Sequence, residues 1–284
     1  MSEVVEGSLD DRFRALIRDR TGIQLPPSKR NMIEARLRRR IVSLGLSGLD
    51  AYLAHLFDGG ALDDELPAII DAMTTNKTDF FREKAHFDLL LDRLVPAAVA
   101  AAPRGRPVPF KVWSAAASIG AEAWTTAMVL AEAARRHGGL EWGVLGTDIS
   151  PAVLSVARRA VYPAEDAAPV PPPLRDRYLM TGAGDDGQPA VRVVPELRRR
   201  VRFARLNLIE PPYPVDRDID VIFLRNVLIY FSPETQARVI AALAEHLRPG
   251  GHLIVGHSES MTVRQPGLRQ VAAAVYQMQA EDSQ

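Results

Sequence analysis

The run Ile219–Leu224 (IDVIFL) constrains the fold of this chain more tightly than any other short stretch in it. Five of its six side chains are apolar and do not alternate with polar ones, the pattern of a strand covered on both faces. Such a strand needs helices above and below it, and the chain supplies them. Phe110–Ala115 (FKVWSA) reads as a strand entering a small-residue turn, Ala116–Gly120, and Glu122–Arg136 as an alanine-rich helix. Trp142–Ile149 (WGVLGTDI) reads as a second strand ending on an acid, followed by a helix over Pro151–Ala160. Beyond IDVIFL come a helix over Pro233–Leu247, a stop at Pro249-Gly250-Gly251 and a strand over Leu253–Gly256. This alternation predicts an α/β domain with a parallel sheet and helices on both sides.

Two regions break the rhythm. Residues 9 to about 70 read as helical, with Phe13, Leu16 and Ile17 on one face before Pro26-Pro27 interrupts the chain. Ser28 is placed to cap the next helix, where Ile33, Leu37, Ile41 and Leu44 share a face. At about 100° per residue, Lys29, Arg36 and Arg40 form a stripe beside it. Gly45 and Gly48 end this helix, and another spans Leu49–Phe57. The second region, from Tyr162 to about Arg202, opens with five prolines and continues through the glycine-rich turn Thr181–Gln188 between short β-like runs. A small β insert is expected there, since long structureless loops inside compact domains are uncommon. The division predicted is a helical domain over 1–72, a linker segment and helix over 73–106, and the sheet domain over 107–284 with its insert at about 163–202.

Bulk properties exclude several function classes. Apolar residues make up 47% of the 284 and charged residues 25%, which argues against disorder. There is no cysteine, so disulfides, thiolate catalysis and cysteine-held metals are out; no metal site is expected. MSEVVEGSLDDRF has no basic stretch leading into an apolar core, and the apolar runs fall short of the roughly 20 residues that span a bilayer. A cytoplasmic protein without membrane insertion is the expectation. Net charge is zero, yet Arg12–Arg40 holds ten basic residues against two acids. That asymmetry points to an acidic partner for the N-terminal part.

Four stretches carry chemistry. Trp113–Glu122 (WSAAASIGAE) is a strand, small-residue turn and helix start, where backbone N–H groups can meet an electronegative ligand. It has one glycine, a poor dinucleotide fingerprint, and serves packing as readily as binding. Asp148 follows Gly120 by 28 residues at the end of the next strand, where it either accepts from ribose hydroxyls or caps the following helix. Turn and acid together favour an adenosine-containing ligand. Leu224–Phe231 (LRNVLIYF) puts Arg225, Asn226 and Tyr230 beyond the carboxyl end of a strand, where ligands bind in such folds. Thr74–Glu83 (TTNKTDFFRE) reads as a segment folded over a site, with Asn76, Thr78 and Arg82 as donors, or as a capped linker anchored by Phe80 and Phe81.

In this order and spacing the four stretches, with GTDIS, LNLIE (Leu206–Glu210) and RPGGHLIVGHSES, resemble the chemotaxis-receptor glutamate O-methyltransferases, the CheR family, from about Asp10 to Gln277. The resemblance implies a Rossmann-like S-adenosylmethionine-dependent methyltransferase domain with a small N-terminal all-helical domain and a small β insert. It implies that Asn76, Thr78, Arg82, Glu122, Asp148, Asn207, Leu208, Arg225 and Asn226 line the S-adenosylmethionine pocket. Arg82 and Tyr230 would lie near the transferring methyl and the incoming carboxylate, and residues 73–106 would cover the cofactor. Ala121, Ala123 and Trp124 depart from the family's Glu, Pro and Tyr, which implies altered packing of the turn with the cofactor-contacting Glu122 retained. The expected partner is the acidic helical methylation region of a chemotaxis receptor, met by Lys29, Arg36 and Arg40. Two rival readings remain at this level. One is a nucleic-acid methyltransferase, disfavoured by 6% aromatics and no Asn-Pro-Pro-aromatic motif. The other is a non-catalytic relative, with Ala121 and Ala123 in its support.

Overall fold

IDVIFL occupies the middle strand of a seven-stranded sheet. The computed structural model describes residues 7–280. Four helices come first: α1 (Leu9–Thr21), α2 (Arg30–Ser43), α3 (Leu49–Phe57) and α4 (Leu62–Met73). A linker over residues 74–84 leads to α5 (Ala85–Leu89), which continues through a π turn, Leu90–Leu94, into α6 (Val95–Ala101). The sheet domain then begins with β1 (Val108–Ala115), α7 (Ala121–Arg136), β2 (Leu140–Asp148) and α8 (Pro151–Arg159). An excursion follows: β3 (Val161–Pro163), α9 (Pro172–Tyr178), β4 (Leu179–Ala183), β5 (Pro189–Val193) and α10 (Pro195–Arg198). The main sheet is completed by β6 (Val201–Arg205), β7 (Ile219–Leu224), α11 (Pro233–Ala244), β8 (Leu247–Val255), β9 (Leu268–Ala272) and β10 (Val275–Met278).

Strand order is β6-β2-β1-β7-β8-β10-β9, and β10 pairs antiparallel with both of its neighbours while β6, β2, β1, β7 and β8 are parallel. The order reverses between β1 and β7. Connections leave the sheet in opposite directions there and open a crevice at the carboxyl ends of these strands. Along β7 the side chains divide between two cores, as burial on both faces requires. Val221 and Phe223 pack with Phe110, Ala127 and Leu130 on the α7 side. Ile222 and Leu224 pack with Phe13, Ile17 and Leu37 of the helical domain on the other. The four helices of the helical domain pack on one another, and their buried faces run on into this second core.

Local chemistry sets the helix ends. Ser8 Oγ accepts from Asp11 N at 3.2 Å, and Asp10 and Asp11 sit in the positive first turn of α1. Gly22 closes α1 at φ +77°, and its lack of a side chain also serves the domain contact. A Cβ there would come within 2.7 Å of Ile209 Cγ2 and 3.1 Å of the Phe231 ring. Ser28 does not cap α2 as expected. Residues Pro27–Lys29 form a 3-10 turn, and α2 starts beyond it at Arg30 without a side-chain cap. Pro249-Gly250-Gly251 is not a stop either. α11 already ends at Ala244, and the three residues lie inside β8, where the register with β7 shifts between Ile219 and Val221. The glycines allow that bulge and the chain continues as strand.

The insert forms a separate three-stranded sheet, β3-β5-β4, with antiparallel pairing. It hands the chain back at Val201, which pairs with Val144 of β2. No described helix is long and apolar enough to cross a membrane.

Candidate active site

β1 delivers its last residue, Ala115, to a turn in which Ala116, Ser118 and Gly120 all have positive φ (64°, 51° and 88°). Small side chains tolerate this path and leave the floor of a cleft open. Gly120 itself answers to packing: a Cβ would meet Ala157 Cβ at 2.9 Å and Phe203 Cζ at 3.1 Å. Trp124, where the family has Tyr, fills the same contact, its indole donating to Ala157 O at 3.2 Å and tilting onto Phe203. Ala121 and Ala123 of the same helix are buried as well.

Asp148, at the end of β2, is buried and ties the turn down. Its Oδ2 accepts from Ser118 N at 2.8 Å and its Oδ1 from Ser150 N at 3.0 Å. It does not cap α8, because Ser150 does so with its own hydroxyl, which accepts from Val153 N. Burial raises the Asp148 pKa against the opposing pull of these backbone N–H groups. Each oxygen keeps a further lone pair, so the carboxylate can still take two ribose hydroxyls.

The cleft above this floor encloses about 940 Å³, part of it open to solvent, the scale of a nucleoside-sized ligand. Every residue expected in the cofactor pocket lines it: Asn76, Thr78, Arg82, Glu122, Asp148, Asn207, Leu208, Arg225 and Asn226, with Tyr230. Asn76 is fixed at its carbonyl, which accepts from Ser118 Oγ at 2.8 Å, while its amide donates to Thr74 Oγ1 at 3.2 Å. Asn207 reaches across the domains, its amide donating to Arg20 O at 2.9 Å. Asn226 holds φ +60° with its N–H donated to Glu259 Oε2. Gly256 must lack a side chain for that contact: a Cβ would meet Glu259 Oε2 at 2.7 Å and Asn226 Nδ2 at 2.8 Å.

The two arginines differ in kind. Arg225 is buried between two carboxylates, 2.9 Å from Glu122 Oε2 and 3.2 Å from Glu83 Oε2, and donates to the Arg82 carbonyl. Glu122 in turn accepts from Ser114 Oγ at 2.7 Å, and burial raises its pKa against the attraction of Arg225. Arg82 is half-buried at the cleft, and its one side-chain hydrogen bond among the described residues is to the Lys77 carbonyl at 3.2 Å. No hydrogen bond joins Arg82 to Tyr230 among the described residues.

Glu83, His86 and His257 bring ligand-type atoms within 4.8 Å of one another. Arg225 is already the cation on the shared Glu83 oxygen, and the two imidazoles, stacked at 5.0 Å, bring their Nδ1 atoms to that same oxygen.

Two of the three residues expected to face the receptor are engaged within the chain. Arg36 turns inward and donates to Met73 O (2.6 Å), Thr74 O (3.1 Å) and Thr75 Oγ1 (2.8 Å), closing the carboxyl end of α4 onto the linker. Arg40 pairs with the buried Glu65, which also accepts from Tyr52 Oη. A helix face beside the apolar one meets the neighbouring helix, and α4 lies there. Lys29 is exposed as expected, and Arg38 and Arg39 are exposed on the far side of α2. Arg20, Lys29, Arg38 and Arg39 make no ion pair among the described residues, whereas Arg12, Arg14, Arg18 and Arg30 pair with acids. The sequence also gave no sign of Thr21 and Ile23, which bring the helical domain into the cleft wall. Gly22 between them was the available signal.

A crevice at the switch point of a sheet of this order, floored by a turn of small residues and closed by an acid on β2, defines an S-adenosylmethionine-dependent methyltransferase domain. The chain belongs to the CheR methyltransferase family. Residues 10–74 match its all-alpha domain and residues 76–277 its SAM binding domain. It is 39% identical over 258 residues to chemotaxis protein methyltransferase 2 of Pseudomonas aeruginosa, covering 90% of this chain and 88% of that protein. It is 40% identical over 251 residues to the chemotaxis protein methyltransferase of Escherichia coli K12, covering 88% and 84%. The donor set of the cleft fits the cofactor: it combines the buried Asp148, the amides of Asn76, Asn207 and Asn226, and a Glu122 fixed by Ser114 and Arg225.

Proposed function

We propose that this enzyme methylates glutamate side chains of chemotaxis receptors to γ-methyl esters in the cytoplasm. The observation that carries this reading is the contrast between the two cleft arginines. Arg225 is neutralised, while Arg82 stands at the opening with a single carbonyl partner, a cation able to receive a carboxylate.

S-adenosylmethionine, when bound, supplies a methyl group on a positively charged sulfur that departs as a neutral thioether. A carboxylate oxygen forms the new bond to carbon as the carbon–sulfur bond breaks, and no proton moves. A glutamate of ordinary pKa, about 4.3, is already ionised at neutral pH, so the reaction needs no general base. The cleft lining is consistent with this, for it contains neither histidine nor cysteine. What the chain must provide is alignment, and alignment alone is a large source of rate. Arg82 orients the incoming carboxylate, and Tyr230, on the same wall, offers its hydroxyl to it. Asn76, Thr78, Asp148, Asn207, Leu208 and Asn226 hold the cofactor, while Glu122 and Arg225 fix the wall between cofactor and linker.

The receptor-facing charges we assign are Lys29, Arg38 and Arg39, the basic groups at or on α2 left unpaired. Methylation regions rich in acidic residues would meet them by charge. The direct test compares Arg82→Ala with Lys77→Ala, assayed for labelled methyl transfer into receptor-containing membranes. Lys77 contributes its backbone carbonyl to Arg82, and an alanine keeps that group. Arg82→Ala should cost at least about a hundredfold in rate, and Lys77→Ala should stay within about threefold of the parent. Equal rates for the two would remove Arg82 from the mechanism.

A further inference from the structure

Arg82 sits between two residues in the left-handed region, Phe81 at φ +55° and Glu83 at φ +55°. Neither is glycine, and a bulky residue in this region is held there only by its surroundings. The hold on Phe81 is plain. Its N–H donates to Thr125 Oγ1 at 3.1 Å, its ring meets Phe87 at 5.8 Å, and Phe80 before it packs edge-on against Tyr162 at 5.1 Å.

On the other side the hold is electrostatic. Glu83 Oε2 lies 3.2 Å from Arg225 Nη2, 3.3 Å from His257 Nδ1 and 3.5 Å from His86 Nδ1. Arg225 follows β7 and His257 follows β8, so one carboxylate joins the linker to two strand ends. The same Arg225 Nη2 also donates to the carbonyl of Arg82. Burial would raise the Glu83 pKa, but the Arg225 guanidinium outweighs it and holds the carboxyl below its ordinary value, which keeps the side chain charged. Glu83 itself does not line the cleft. Its carboxylate grips the back of the residue whose side chain faces the front.

We propose that Glu83 is a positioning residue of methyl transfer: through Arg225 and His257 it locks the strained turn from which Arg82 reaches the substrate carboxylate. This rests on the role of Arg82 given above, and the test separates the two. Glu83→Gln, Arg82→Ala and the double variant are compared in the full chain for methyl transfer to receptor-containing membranes at saturating S-adenosylmethionine. Calorimetry with S-adenosylhomocysteine is run alongside. Glu83→Gln should lower kcat at least about tenfold while the S-adenosylhomocysteine Kd moves less than about threefold. In the Arg82→Ala background the same change should cost less than about twofold, because its route to the substrate is gone. If Glu83→Gln does not fold, Glu83→Asp, which keeps the charge but shortens its reach, should show the same pattern. An equal cost in both backgrounds, a Kd that worsens in step with kcat, or an undiminished rate would each overturn the proposal. Should Arg82→Ala retain the parent rate, the role of Arg82 falls first and this one with it.

Discussion

At the scale of single residues, the recurring theme is charge taken out of water and what compensates it. Asp148 shows the compensation by backbone: two N–H groups converge on it, and its remaining lone pairs face the cleft. Hydrogen bonds to a charged group contribute about 1.5–3 kcal/mol each, so Asp148→Ala should weaken S-adenosylhomocysteine binding by about ten- to a hundredfold in calorimetry. An affinity within about twofold of the parent would leave this carboxylate no part in cofactor binding. His86 shows the opposite case. It is buried beside Arg225 and Glu83, stacked on His257, and burial lowers its pKa from 6.5 to about 4. Between these two values the unfolded chain binds a proton that the folded one refuses, so stability rises with pH across that window and is lost as pH falls through it. Chemical denaturation from pH 7 to pH 4 should therefore show declining stability, and His86→Gln should make the decline above about pH 5 shallower, with His252, whose pKa burial also lowers to about 4, supplying the remainder. Below that, Glu65 adds its own acid limb. Arg40 lowers its pKa, an effect present at neutral pH and lost on protonation.

At the scale of elements, β7 was legible to the residue and β1 and β2 to within two residues, whereas β8 begins six residues before the strand read at Leu253 and neither β6, β9, β10 nor the charged faces were legible. IDVIFL marks β7 at both ends because a run apolar but for Asp220, set between Asp218 and Arg225, leaves nowhere else for a strand to stop. Asp148, Arg225 and Asn226 were also legible, since each stands at or just beyond the end of a strand, whereas Asn76, Thr78 and Arg82 lie in a linker whose chemistry suits a capped connection equally well, and Asn207 and Leu208 came only with the family resemblance. The partners of Arg36 and Arg40 were not legible because helical periodicity assigns a face but not its neighbour. Their long side chains reach α4 and close on its carbonyls and on Glu65, contacts set by a helix more than twenty residues away. Ser28 failed for a related reason: Pro26-Pro27 winds the chain into a 3-10 turn before the α-helix begins. Glu83 was quoted in its motif without a role, because its partners Arg225 and His257 come from the far end of the chain. If the unpaired basic groups of α2 meet the receptor, Arg38→Glu with Arg39→Glu should raise the receptor KM at least about fivefold at low salt. The S-adenosylhomocysteine Kd should not change. A KM that stays put would move the docking surface elsewhere.

At the scale of the whole molecule, the helical domain is part of the enzyme's body as well as its surface. Gly22 lets α1 close onto Ile209 and Phe231, Thr21 and Ile23 enter the cleft wall, and Asn207 holds Arg20 across the boundary. A receptor meeting α2 would thus press on an element that is packed into the same core as β1 and β7. Arg36 adds a second tie, from α2 to the linker that carries Asn76 and Thr78. The central claim, however, concerns the product. The most direct measurement incubates the protein with methyl-labelled S-adenosylmethionine and receptor-containing membranes, then treats the labelled receptor with mild alkali. A γ-methyl ester of glutamate must release its label as volatile methanol, and peptide mapping must place the methyl on glutamate side chains in the helical cytoplasmic region. Label that survives alkali, that appears in nucleic acid, or that never leaves the cofactor would contradict the account.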